Sequence, residues 1–95
     1  MTSPSSEPGS TEATVTLPPD VDLHARPAAQ FVRAAMGFRA RIAVGAYERE
    51  VDAKSLLSVL SLGARRGTVL RLRAEGDDAA LAVGALADCL AGLRE

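Results

Sequence analysis

Runs of strict apolar–polar alternation and runs with helical spacing take turns along this chain, and together they predict an ordered series of elements. Ala13, Val15 and Leu17 alternate with Thr14 and Thr16, the period of a half-buried strand. Pro18-Pro19-Asp20 ends it. Pro27 suits the first turn of a helix, where its missing N–H costs nothing. Ala28, Phe31, Val32, Ala35 and Met36 then follow i, i+3, i+4, i+7, i+8 spacing, an amphipathic stripe that Gly37 is placed to stop. Ala40, Ile42 and Val44 alternate with Arg39, Arg41 and Ala43, giving a second strand. Gly45-Ala46 reads as a tight turn, and Tyr47 to Asp52 as the hairpin partner with Glu48, Glu50 and Asp52 on its wet side.

Ser55 is an N-cap candidate for a short helix, Leu56 to Leu62, which Gly63 closes. After Gly67, Leu70, Leu72 and Ala74 alternate with Arg71 and Arg73 in a further strand. Glu75-Gly76-Asp77 makes a turn, and Asp77 or Asp78 caps a last helix. That helix has an apolar face of Ala82, Ala85, Leu86, Cys89, Leu90 and Leu93. The order is β-α-β-β-α-β-α. The simplest burial of these stripes is an α+β fold, a four-stranded antiparallel sheet with three helices on one face. Met1 to about Glu12 is rich in Ser, Thr, Pro and Gly and has no apolar residue after Met1. It reads as a disordered tail ahead of a domain spanning residues 13–95.

Composition narrows the function classes. Ninety-five residues make one small domain, and the aromatic content of 3% leaves Leu, Val, Ile and Ala to supply the packing. A formal net charge of -1 argues against broad nucleic-acid binding, and so few aromatics leave no stacking platform for single strands. No run approaches the roughly 18 apolar residues of a membrane span. No basic start with an apolar stretch marks a secretory signal, so the expected compartment is the cytoplasm. The lone Cys89 and lone His24 lie far apart without metal-ligand spacing, and no nucleophile elbow is visible. Neither a metal nor a cofactor is expected.

The run Leu23-His24-Ala25-Arg26-Pro27 carries the candidate chemistry. Imidazole is a nucleophile that titrates near neutral pH. A phosphoryl group arriving on it brings about two negative charges. Free amides and the positive dipole end of a helix start can stabilise them, and the Arg26 guanidinium can grip phosphate oxygens in a bidentate way. Taken alone, a His-x-Arg-Pro tetrapeptide is more often an ordinary loop histidine beside a solvated arginine.

The downstream segments change that balance. Leu23 to Val32 resembles the active-site signature of the HPr family, the histidine-containing phosphocarriers of the bacterial phosphoenolpyruvate:sugar phosphotransferase system. Ala53-Lys54-Ser55-Leu56-Leu57 resembles the family's second signature. Leu62-Gly63, Gly67-Thr68-Val69 and Ala74-Glu75-Gly76-Asp77 resemble its later connections. The resemblance runs from about Ala13 to Leu93 and implies an open-faced β-sandwich.

It also implies a set of roles. His24 would take a phosphoryl group from Enzyme I on Nδ1 and pass it to the A domain of a sugar-specific permease, acting as a phosphoryl-transfer intermediate rather than a true catalyst. Arg26 would steady the group. Partner docking would involve Leu23, Ala25, Arg33, Leu56, Leu57 and Leu60. For the three leucines of the second helix, the alternative is that a small core takes them all. For Arg33 it is a solvated helix charge. Ser55 matches a serine that a dedicated kinase phosphorylates in some members, and a helix cap is its other role. The chain is expected to act as a monomer. A nitrogen-related or dihydroxyacetone kinase branch, or a regulatory docking module, fits the same residues.

One position departs from the pattern. Asp22 stands where most members have glycine, which implies a positive φ that Asp tolerates better than most residues. A carboxylate there is expected to favour the protonated His24 ring and to repel an arriving phosphoryl group, with Asp20 adding to the effect.

Overall fold

The structure is a computed structural model that describes residues 9–94. The elements are β1 (Ser10–Thr16), α1 (Ala25–Ala35), β2 (Arg41–Ala46), β3 (Arg49–Asp52), α2 (Leu56–Ser61), β4 (Val69–Glu75) and α3 (Ala79–Ala91). They form one antiparallel sheet in the order β1-β4-β2-β3. The inward positions Ile42, Val44, Leu70, Leu72 and Ala74 are buried beneath the helices, together with Phe31, Val59, Leu86 and Leu90. The outward face carries Arg41, Glu50, Arg71, Arg73 and Glu75, with Arg73 pairing Glu50 of β3 and Glu75 of its own strand. This is the β-α-β-β-α-β-α open-faced sandwich that the hydrophobic pattern predicts.

Several local expectations are corrected. Strand β1 begins at Ser10 rather than Ala13, because Ser10, Thr11 and Glu12 continue the ladder opposite Glu75, Ala74 and Arg73. Residues 1–8 of the expected tail lie outside the described residues. Gly45 and Ala46 are not a turn. They belong to β2, and Ala46 pairs with Arg49 across a two-residue connection, Tyr47-Glu48. Tyr47 takes φ +58°, costly for a bulky side chain. Its carbonyl accepts a 3.0 Å bond from Arg71 Nη1, and its hydroxyl lies 3.2 Å from Thr68 Oγ1. Gly45 is glycine because Arg71 crosses directly over it. A Cβ there would sit 2.7 Å from Arg71 Nη2 and 3.0 Å from the Arg49 carbonyl oxygen.

The helices also differ in detail. Met36 is 65% exposed rather than part of the α1 stripe. In α3, Ala85 of the expected apolar face is exposed, and Val83, outside that face, is buried. Asp78 is the N-cap of α3 but makes no side-chain cap bond. Its two carboxylate oxygens instead accept the amides of Arg39 and Ala40, each at 2.8 Å, and so pin the α1–β2 connection. Those amide bonds hold the Asp78 carboxyl below its ordinary value.

A second brace shapes the other end. The loop between α2 and β4, residues 62–68, lies along the β1–α1 loop. The Leu17 amide donates to the Thr68 carbonyl and the Leu23 amide to the Ala64 carbonyl, both at 2.9 Å. Leu17, Val21 and Leu23 fill the core beneath.

Two glycines of contrasting setting test this packing. Gly76 has φ +141°, and a Cβ on it would meet Ala40 Cα at 3.0 Å, whereas one on Gly84 in α3 meets nothing within 4 Å. Gly76→Ala is expected to lower stability by about 2 kcal/mol, and Gly84→Ala to raise it by roughly 0.5–1 kcal/mol. Denaturant midpoints of the two variants check this.

Candidate functional site

His24 is the N-cap residue of α1, with extended backbone at φ −81° and ψ −172°, and it makes no side-chain cap bond. Its carbonyl accepts the first helical bond, from the Ala28 amide at 2.8 Å. Its own amide donates to the Asp22 carbonyl at 2.8 Å. Pro27 has no N–H. Helix geometry therefore leaves the amides of Ala25 and Arg26 without intrahelical partners beside the ring. The His24 side chain is 74% exposed. Ala25 and Arg26 are exposed as well, within α1 rather than ahead of it.

The immediate wall of the site comes from three segments. Asp22, Leu23, His24 and Ala25 line a shallow depression of about 550 Å³ with Leu60 of α2 and Gly63, Ala64 and Arg65 of the following loop. Arg26 stands outside this depression, one residue into the helix. Arg33 lies seven residues further along α1 and is exposed, on the same helical stripe as Arg26 and Gln30. Leu57 is 81% exposed and Leu56 is exposed to a lesser degree, while Leu60 packs partly against the core. The second helix thus leaves apolar side chains uncovered beside the site. Leu23 does not join that surface. It is buried, and its part is to anchor the loop. Ser55 caps α2, its Oγ accepting the Ser58 amide at 3.3 Å.

Asp22 is where the structure most changes the sequence picture. Its backbone does not have positive φ, since Tyr47 alone among the described non-glycine residues does. Nor is its charge bare. The carboxylate is buried, and Arg66 reaches it three ways: the backbone amide to Oδ1 at 2.7 Å, Nε to Oδ1 at 3.2 Å and Nη2 to Oδ2 at 3.3 Å. The Arg66 side-chain and backbone bonds lower its pKa from 3.8 to about 2. Oδ2 also lies 3.6 Å from His24 Nε2. The ring therefore turns its Nε2 edge toward an ionised, already paired carboxylate, and Nδ1 is the ring nitrogen left out of that contact. Asp20 is exposed and belongs to no ion pair among the described residues.

Arg66 has no counterpart among the residues picked out by motif. The signal for it was present: Arg65-Arg66 stands between Gly63 and Gly67, the chain's one adjacent arginine pair, opposite the acidic Asp20-Val21-Asp22 loop. What brings the two loops together is the tertiary fold.

The comparisons with known proteins converge on one family. The family model for the PTS HPr component phosphorylation site matches residues 11–92. A phosphocarrier protein HPr of Haloferax volcanii is 46% identical over 81 residues, covering 83% of this chain and 91% of that protein. The crystal structure of an HPr from Thermoanaerobacter tengcongensis superposes with a TM-score of 0.80 at 42% identity, covering 84% of this chain and 90% of that one. An HPr dimer from the same organism superposes with a TM-score of 0.65 at 43% identity, covering 80% and 87%. With the four-stranded sheet, the three helices and an exposed histidine at the head of α1, these matches lead to one conclusion: the chain belongs to the HPr family of phosphocarriers of the phosphotransferase system.

Proposed function

We propose that His24 is the residue that carries the phosphoryl group, on Nδ1, taking it from Enzyme I and giving it to the A domain of a sugar-specific permease. The observation that carries this reading is the placement of the ring. It is exposed at the N-cap of α1, with Nε2 toward Asp22 and the amides of Ala25 and Arg26 unpaired nearby. A transferred phosphoryl group on Nδ1 meets amide dipoles and the positive end of the helix. Arg26, exposed at the second helical position, supplies a guanidinium to its oxygens. An open depression suits a carrier, because the group must be reached by two different proteins in turn.

Docking uses the surface around the ring. Leu56 and Leu57 offer apolar contact, and Arg26 and Arg33 offer positive charge to acidic rims on the partners. Ala25 and Leu60 border the ring itself. A kinase-added phosphate on Ser55 would lie at the start of α2 beside Leu56 and Leu57, where its charge opposes docking. One chain suffices for the role, since the core closes within it and all of these residues come from one copy. No helix of the described residues is long and apolar enough to cross a membrane, and the cytoplasm is the compartment in which this relay would run.

Incubation with Enzyme I and phosphoenolpyruvate is expected to add one acid-labile phosphate by intact mass, and His24→Ala to abolish it. Labelling that persists in His24→Ala overturns the assignment. Leu57→Asp changes a solvent-facing side chain. It is expected to weaken Enzyme I binding by roughly tenfold with an unaltered thermal midpoint, measured by titration calorimetry and melting.

A further inference from the structure

We propose that Arg66 and Asp22 form a positioning pair for His24: the carboxylate, aimed by Arg66, faces the Nε2–H and leaves the Nδ1 lone pair as the nucleophile. The proposal rests on the reading of His24 as the phosphoryl-carrying residue and adds the device that orients its ring.

The geometry separates a rigid part from a free one. The Asp22 side chain is 11% exposed against 74% for His24. Oδ1 of Asp22 is occupied by the Arg66 amide and Nε, and Oδ2, which accepts a 3.3 Å bond from Nη2, is the atom that faces the ring. The backbone around it is tied down as well. The His24 amide donates to the Asp22 carbonyl, and the Leu23 amide donates to the Ala64 carbonyl. The ring is thus the movable group and the carboxylate the fixed one. The depressed titration of Asp22 keeps it ionised at neutral pH.

The pair serves both halves of a transfer. In the accepting step the Nδ1 lone pair forms the bond to phosphorus while the donor's bond to phosphorus breaks, and that electron pair leaves with the donor. The ring becomes cationic and keeps its Nε2 proton toward Asp22. In the donating step the acceptor's nucleophile bonds to phosphorus, the P–Nδ1 pair returns to the ring, and neutral imidazole is released with the same proton in place. No proton has to move. A carboxylate facing Nε2–H favours the cationic ring from which the phosphoryl group departs most readily. Arg66 keeps that carboxylate from opposing the incoming phosphoryl group as an uncompensated charge.

The test compares the native chain with Asp22→Asn, Arg66→Ala and the double variant, each phosphorylated with Enzyme I and phosphoenolpyruvate. Two quantities are read: the ring ¹⁵N resonances of His24, and the lifetime of the phosphorylated form at neutral pH. Asp22→Asn keeps the side-chain shape and an acceptor for the Arg66 amide. It is expected to lengthen the lifetime by about threefold, the effect of losing one partly exposed charge contact, and to move the Nε2 resonance. Asp22→Glu is expected to restore part of that resonance shift. Arg66→Ala is expected to slow phosphorylation, and the double variant to recover much of the rate, because the uncompensated charge is gone. An unchanged lifetime and Nε2 resonance in Asp22→Asn, or a double variant slower than either single one, would overturn the pair's role and leave it a loop brace. A native chain that cognate Enzyme I does not label at His24 would overturn the carrier reading beneath it, and intact mass distinguishes that outcome from the others.

Discussion

The grip of Arg66 on the Asp22 carboxylate joins the two loops on which the head of α1 rests. One loop leads from β1 into the helix and holds His24. The other leads from α2 into β4 and holds Arg66. Their backbones are also linked, through Leu23 to Ala64 and Leu17 to Thr68, and Leu17, Val21 and Leu23 fill the core beneath. A charge held by several hydrogen bonds in a mostly buried place is costly to leave unpaired. The pairing therefore sets the path of the whole connection, and with it the direction in which the histidine ring emerges.

This arrangement follows from a sheet that is covered on one side only. Helices packed on the inner face leave their ends, not their sides, near the strand connections. The head of α1 consequently opens at an edge of the sandwich, where a partner protein can reach it. The outer face needs no apolar cover because it is laced with charge. Arg73 spans toward Glu50 and Glu75, and Arg71 crosses Gly45 to reach the carbonyls of Tyr47 and Arg49. Such exposed pairs contribute little stability each. Their evident effect is geometric: the hairpin between β2 and β3 is closed from outside by a side chain of β4.

Much of this was legible in the residues. Strict alternation in Leu70, Leu72 and Ala74 marks a strand with one buried face. The stripe through Ala28, Phe31, Val32 and Ala35 marks a helix lying on it. Ser55 and Gly63 bracket a short helix as cap and stop, and Gly63 takes φ +62° as such a stop requires. His24 before Pro27 places an imidazole at a helix start. Each of these depends on neighbours within a few positions, and periodicity is enough to read them.

Two expectations failed, and a third held only in part, for a common reason. Gly45 looked like a turn residue, but its lack of a side chain makes room for Arg71, which reaches it from another strand. Asp78 is the N-cap of its own helix, yet its carboxylate serves amides 38 and 39 residues upstream instead of the helix. Asp22 looked like an uncompensated charge beside His24, yet Arg66, 44 residues downstream, holds it. By itself the sequence determined the elements, their order and the presence of a nucleophile at a helix head, because those depend on local spacing and on the burial of one face. Only the tertiary structure decided where the charged side chains end, because a carboxylate or guanidinium settles on the partners that folding brings near it, and those lie far away along the chain.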